Sequence, residues 1–254
     1  MNLGSHTSAE IESRRDLAPD LWILRLRSDE PLSFRPGQFA TLGVLEKGKM
    51  IERPYSIASS PRETELEFFL ELVAEGELTR RLHGLRAGDH VYVRKAARGV
   101  FGLDEERGRR KHLMVATVTG VAPFVSIVRT LRHDEKRGAT PAPDEIVLLQ
   151  GASRSWELGY DRELADLENE ASWFHYVPTV SRPREDTAWT GTRGRVHDLI
   201  SNALERFGFS PSDTTGYLCG HPGMIEAARG ILLGAGFEKE SIREERFWVP
   251  RSEP

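Results

Sequence analysis

The chain of 254 residues is predicted to fold as two domains, an antiparallel β-barrel over residues 1–105 followed by a parallel-sheet α/β domain over residues 106–254. Three observations carry this. The length exceeds the usual domain of about 100 to 200 residues. Alternating apolar runs separated by Gly and Pro fill the first hundred positions. From Lys111 onward the apolar runs alternate with stretches of helical period.

In the first half, Leu21–Arg27 puts Trp22, Leu24 and Leu26 on one face and Arg25 and Arg27 on the other, a half-buried strand. Pro36-Gly37 interrupts the chain, Gln38–Val44, Arg53–Ser59 and Leu66–Val73 read as further strands, and Gly88-Asp89 turns into Val91–Val93. A short helix is read around Leu78–Leu85. Short strands joined by such turns fit a small antiparallel barrel. The opening Gly4-Ser5-His6 is given no functional weight, and the first strand is read at Leu21. The charged, glycine-containing segment Asp104–Arg110 marks the domain boundary.

In the second half, Leu113–Thr117, Ile146–Gln150, Phe174–Val180 and Gly216–Cys219 read as strands. The helices are Phe124–His133, Asp161–Glu170, Val196–Phe207 and Pro222–Leu233, the last started by a proline whose missing N–H does no harm there. Strand and helix in alternation mean a parallel sheet.

Composition narrows the function. Hydrophobic residues at 39% and charged residues at 29% are ordinary for a globular protein, and the net charge of -4 argues against a dedicated nucleic-acid binder. The single cysteine, Cys219, excludes an internal disulfide framework and a cysteine-ligated iron-sulfur cluster within this chain. The longest uncharged run, Leu113–Val128, is too short for a membrane span and contains Gly120 and Pro123. A soluble protein of the reducing cytoplasm is expected. No metal site is read, and His221 is taken as a surface or turn histidine.

Four motifs carry chemistry. Arg53-Pro54-Tyr55-Ser56 lies on a strand, so the cation of Arg53 and the flat ring of Tyr55 share a face and fit a ligand with an anionic group and a planar ring. Gly76-Glu77-Leu78-Thr79 opens the short helix, where free N–H groups attract phosphate oxygens. Ala116–Phe124, which includes Thr119, runs from a strand through a small-residue turn into a helix, the place where a parallel sheet meets a dinucleotide phosphate. It lacks the standard G-x-G-x-x-G spacing. Cys219-Gly220-His221-Pro222-Gly223-Met224 puts a cysteine at the carboxyl end of a later strand, immediately before a helix.

These motifs, in this order and joined by P-G-Q-F at Pro36–Phe39, resemble the ferredoxin-NADP reductase family, its bacterial FAD-containing branch in particular, from about Asp20 to the end of the chain. The resemblance implies a barrel that binds FAD, an α/β domain that binds NADP(H), and electron exchange with an acidic carrier, ferredoxin or flavodoxin, by a monomer without nucleic-acid or membrane partners. It implies that Tyr55 stacks on the flavin, that Arg53 faces the FAD pyrophosphate with Thr79 at the same end, and that Pro54, Gly76, Leu78 and Thr119 add cofactor contacts. Ser56 and Cys219 would lie beside the nicotinamide, and Trp248, with Phe247 as alternate, would cover the flavin face. The positions matching the family's 2′-phosphate site are Ser153-Arg154, Ser181-Arg182 and Gly194-Arg195. A run of basic residues from Arg62 to Lys111 offers a docking face for the carrier.

One departure concerns Val118, which stands where the family turn has its first glycine and would crowd a pyrophosphate. Two other functions fit the same motifs: an NADH-using reductase component of an oxygenase, and a non-catalytic FAD-binding subunit that routes electrons.

Overall fold

The computed structural model describes residues 4–104, 107–139 and 143–247. The chain divides into two compact units, residues 1–102 with 122–133, and residues 103–121 with 134–254.

The first unit contains β1 (His6–Ala18), β2 (Leu21–Ser28), β3 (Phe39–Glu46), β4 (Lys49–Ser56), β5 (Leu66–Glu71), α1 (Glu77–Gly84) and β6 (His90–Arg94). The strands form one antiparallel sheet in the order β4-β3-β6-β1-β2-β5. Just past β4, Ile57 bridges Phe68 of β5, so the two edges meet and the sheet closes on itself. Trp22, Leu24, Leu26, Leu42, Phe68 and Val93 fill the interior together with Leu78 and Leu82 of α1.

β1 corrects the sequence reading, which has no strand before Leu21. It pairs with β2 on one side and β6 on the other. Its buried apolar residues are Ala9 and Ile11, and irregularities at Ile11/Ser13 and Asp16/Ala18 break its alternation. Pairing on both sides makes this segment a strand where its own pattern does not. β4 likewise starts earlier than expected, because Lys47 and Gly48 both adopt positive φ (49° and 77°) and close a two-residue hairpin between Glu46 and Lys49.

β1 also braces α1. Nη1 of Arg14 donates to the carbonyls of His83 (2.6 Å) and Leu85 (3.1 Å) at the end of that helix, while the guanidinium lies 4.8 Å from the centre of the Trp22 ring. A cation on the last carbonyls of a helix satisfies acceptors that have no partner inside it.

The second unit is built on β7 (Lys111–Thr117), which leads into α2 (Ala122–Lys136), whose residues 122–133 belong to the first unit. β8 (Glu145–Ala152), α3 (Asp161–Glu170), β9 (Phe174–Val180), β10 (Thr192–Arg193), α4 (Ile200–Arg206), β11 (Thr214–Gly220), α5 (Pro222–Gly234) and β12 (Ile242–Arg246) follow. The sheet is parallel throughout, in the order β10-β9-β8-β7-β11-β12. Its central strands are continuous apolar runs, as both faces of such a sheet are covered. Leu113, Val115, Val147, Leu149 and Leu218 pack with Ile225, Ala228 and Leu232 of α5 and with Ile200 and Ala203 of α4. The expected helix Val196–Phe207 is a 3-10 turn over Val196–Leu199 followed by α4. No helix among the described residues is long and apolar enough to cross a membrane.

His112 of β7 makes this unit sensitive to acid. Its ring is buried edge-on against Tyr217, and burial lowers its pKa from 6.5 to about 4, with Asp104 pulling the other way. The unfolded chain takes up this proton near pH 6.5 and the folded chain only near pH 4, so the stability due to neutral His112 is complete above pH 6.5 and is lost as the pH falls through that window. Denaturant titration should show a loss of about 1.5 kcal/mol between pH 6.5 and 5. The variant His112→Phe should flatten it; an equal loss in that variant would assign the effect to other groups.

Candidate functional site

In the first unit, β4 carries the R-x-Y-S motif. Arg53 faces Leu42 and Tyr55 faces Ala40 across the β3 pairing, so both side chains sit on the face that carries core residues of β3. Tyr55 packs partly against the core, and burial raises its hydroxyl pKa above the ordinary value, so the ring is a neutral plane. Ser56 is buried, and Pro54 is exposed beside it. Arg53 extends outward with 58% of its side chain exposed, and its guanidinium comes within 3.9 Å of the Glu77 carboxylate, the first residue of α1.

The N-terminus of α1 has Gly76 as N-cap and no side chain capping it. Gly76 is required by close approach: a Cβ there would overlap the Thr79 hydroxyl and come within 2.9 Å of the Val73 carbonyl. That hydroxyl is turned inward, accepting from Val73 N at 3.2 Å and donating to Val73 O at 3.3 Å. The Thr79 hydroxyl therefore holds the loop before α1. Leu78 is buried in the core. A guanidinium lies beside an uncapped helix start here, 3.9 Å from the carboxylate of Glu77, the first helical residue. This arrangement fits a pyrophosphate.

In the second unit, β7 ends in a 3-10 turn, Val118–Val121, before α2 begins without a side-chain cap. Gly120 lies so near the end of β11 that a Cβ would overlap the carbonyl oxygen of Cys219, and Thr117 Oγ1 accepts from His221 N at 2.9 Å. Thr119 is buried in this turn. His221 caps α5, its Nδ1 accepting from Gly223 N at 3.1 Å. Cys219 is fully buried, and burial, with the Glu245 charge second, raises its pKa well above the ordinary value. It is a protonated thiol without an exposed face.

The three arginine pairs follow adjacent strands: Ser153-Arg154 after β8, Ser181-Arg182 after β9 and Gly194-Arg195 after β10. Backbone bonds stitch the loops together, Ser181 N to Ala152 O and Arg182 N to Ser153 O at 2.9 Å, and Gly194 N to Val180 O at 3.0 Å. Arg182 and Arg195 are exposed. Arg154 is held by Glu157 and Glu185, two carboxylates that the motif reading missed. The mixed charges of Arg182-Pro183-Arg184-Glu185 are the one signal that could have pointed to the second.

Residues 8–101 match the oxidoreductase FAD-binding domain family, and residues 114–230 match the oxidoreductase NAD-binding domain family. The flavodoxin/ferredoxin-NADP reductase of Buchnera aphidicola is 31% identical over 231 residues, which span 86% of this chain and 90% of that protein. The chain belongs to the ferredoxin-NADP reductase family. Among solved structures, the ferredoxin NADP+ reductase of Neisseria gonorrhoeae with bound FAD and NADP superimposes with a TM-score of 0.81 at 26% identity, covering 96% of this reductase and 99% of that chain. The reductase component of phenol 2-monooxygenase from Pseudomonas sp. is 32% identical over 92% of this reductase and 63% of that protein.

Within this reductase, Val118 is held at φ 44°, in the left-handed region. For a β-branched residue that backbone costs about 1 to 2 kcal/mol, and glycine is the residue that takes it without strain. Glycine also loses about 0.5 to 1 kcal/mol more entropy on folding. Val118→Gly should therefore raise stability by about 1 kcal/mol or less, read as a higher denaturant midpoint. A lower midpoint would mean that the valine side chain packs well enough to outweigh its backbone. Trp248 lies outside the described residues. Its alternate Phe247 is partly buried and donates its N–H to Gly220 O at 3.1 Å, beside the Cys219 strand end.

Proposed function

We infer that this reductase moves electrons between NADPH and an acidic one-electron carrier, ferredoxin or flavodoxin, with FAD as resident cofactor. The observation that carries the reading is Arg53 beside the uncapped start of α1, on the strand that also carries Tyr55, which supports a pyrophosphate site there. Bound FAD supplies acceptance of two electrons at once and their release singly. The chain's own part is binding and orientation. Arg53 and the first N–H groups of α1 would hold the pyrophosphate, Tyr55 would present its ring to the flavin, and Ser56 would stand at the reacting end. Arg154, Arg182 and Arg195 would receive the 2′-phosphate of NADPH. Direct hydride transfer needs alignment more than proton transfer, so this reading assigns no acid-base pair. Cys219, as a neutral buried thiol, would contribute shape at the strand end and no nucleophile.

The basic residues that support carrier docking are partly neutralised. Arg81 pairs with Glu46, Arg94 with Glu52, Lys95 with Glu30, Arg110 with Asp144 and Lys111 with Asp213. A second reading, an NADH-using reductase component of an oxygenase, draws support from the carboxylates on Arg154, which lower its net charge toward a phosphate.

Anaerobic mixing of the purified protein with NADPH tests the proposal. The flavin absorbance should bleach, then recover when oxidised ferredoxin or flavodoxin is added. Bleaching that is faster with NADH would favour the second reading, and no bleaching with either nucleotide would leave an FAD-binding subunit without this activity.

A further inference from the structure

We propose that Glu185 is a built-in competitor for the 2′-phosphate of NADPH, occupying Arg154 whenever that phosphate is absent and so setting how strongly the enzyme prefers NADPH over NADH; this rests on the cofactor reading above.

Arg154 is held from three sides. Its Nη1 donates to Glu157 Oε1 at 3.0 Å, its Nη2 donates to Glu185, and its guanidinium lies 5.7 Å from the centre of the Trp156 ring. The partners differ in kind. Glu157 and Trp156 belong to the same loop as Arg154, and Glu157 also accepts from Ser153 N at 2.8 Å, so it is part of the loop's own structure. Glu185 comes from the loop after β9, half of its side chain is exposed, and among the described residues the contact of its carboxylate is with Arg154. Its backbone is nevertheless fixed close by, because the neighbouring Asp186 carboxylate accepts from Ser155 N at 2.7 Å. The result is a tethered anion at a cation flanked by Arg182.

A tethered carboxylate acts at high effective concentration, yet an exposed ion pair is weak, so a dianionic phosphate can displace it. While it stays, it neutralises one arm of the clamp, and when displaced it remains near the phosphate as a like charge. Both effects penalise NADPH. Neither touches NADH, which lacks the phosphate.

Glu185→Gln removes the charge and keeps the shape on an exposed loop. The ratio of kcat/KM for NADPH over NADH should rise about three- to fivefold, the factor expected from an exposed ion pair. Adenosine 2′,5′-bisphosphate, titrated calorimetrically, should tighten by a similar factor relative to 5′-AMP. An unchanged or lower ratio overturns the proposal, the lower ratio meaning that Glu185 holds Arg154 in place for the phosphate. Arg182→Glu separates this from the underlying reading. If that variant loses its NADPH preference while Glu185→Gln matches wild type, the competitor alone fails; if Arg182→Glu keeps the wild-type ratio, the phosphate site fails and the competitor with it.

Discussion

Arg53→Ala should purify as a folded protein that has lost its yellow colour, with FAD affinity about ten- to a hundredfold weaker than wild type. The magnitude is that of one charge-assisted hydrogen bond, about 1.5 to 3 kcal/mol. Arg53 is largely exposed, and its nearest carboxylate, that of Glu77, lies 3.9 Å away, so the fold depends little on it. Loss of flavin without loss of structure is therefore the expected signature: an unchanged far-ultraviolet circular dichroism spectrum, a low ratio of flavin to protein absorbance, and a raised dissociation constant on titration with FAD. Arg53→Lys should fall between the two, because it keeps the charge and loses the planar fork. Stoichiometric flavin in the alanine variant would move the pyrophosphate away from β4.

Glu67→Ala should cost about 3 to 5 kcal/mol, the usual penalty for removing one partner of a buried ion pair. Glu67 of β5 has a side chain only 3% exposed, and its two oxygens serve two arginines, Arg25 Nε at 2.6 Å and Arg129 Nη2 at 3.0 Å. Arg129, on α2, is itself only 12% exposed and keeps Glu63 at 3.6 Å. Beside this pair, Ser126 Oγ donates to Ser59 O at 2.7 Å, the hydroxyls of Ser60 and Thr130 meet at 2.8 Å, and Ser59 Oγ accepts from Glu67 N at 3.0 Å. These bonds fasten α2 to the segment that follows Ser56. Without the carboxylate, a nearly buried guanidinium loses its main counter-charge. The thermal midpoint should drop by about 10 °C, at about 2 to 4 °C per kcal/mol for a chain of this size. Replacing Arg129 and Glu67 together by uncharged residues should cost less than the sum of the single changes. Additive losses would show that the two charges do not act as a pair.

The parts of the candidate site that depend on local order were legible in the sequence. β4 and the start of α1 each place a short motif by its own geometry, and the three arginine pairs follow successive parallel strands, which direct their carboxyl ends to one edge of the sheet. Strand, turn and helix periods alone determined the antiparallel and parallel halves of the fold, while the arginine pairs were picked out by the family resemblance. Other features required the folded chain because their causes lie far apart in sequence. β1 is a strand through pairing with β2 and β6, and its Arg14 reaches a helix end 69 residues away. The Thr79 hydroxyl turns to Val73, Gly120 and the end of β11 press together, and Val118 takes a conformation its type disfavours. Arg154 meets Glu185 across 31 residues. Local periodicity records which face a side chain takes; which partner it meets there, and whether that partner leaves it free for a ligand, is decided by contacts between segments that only tertiary packing brings together.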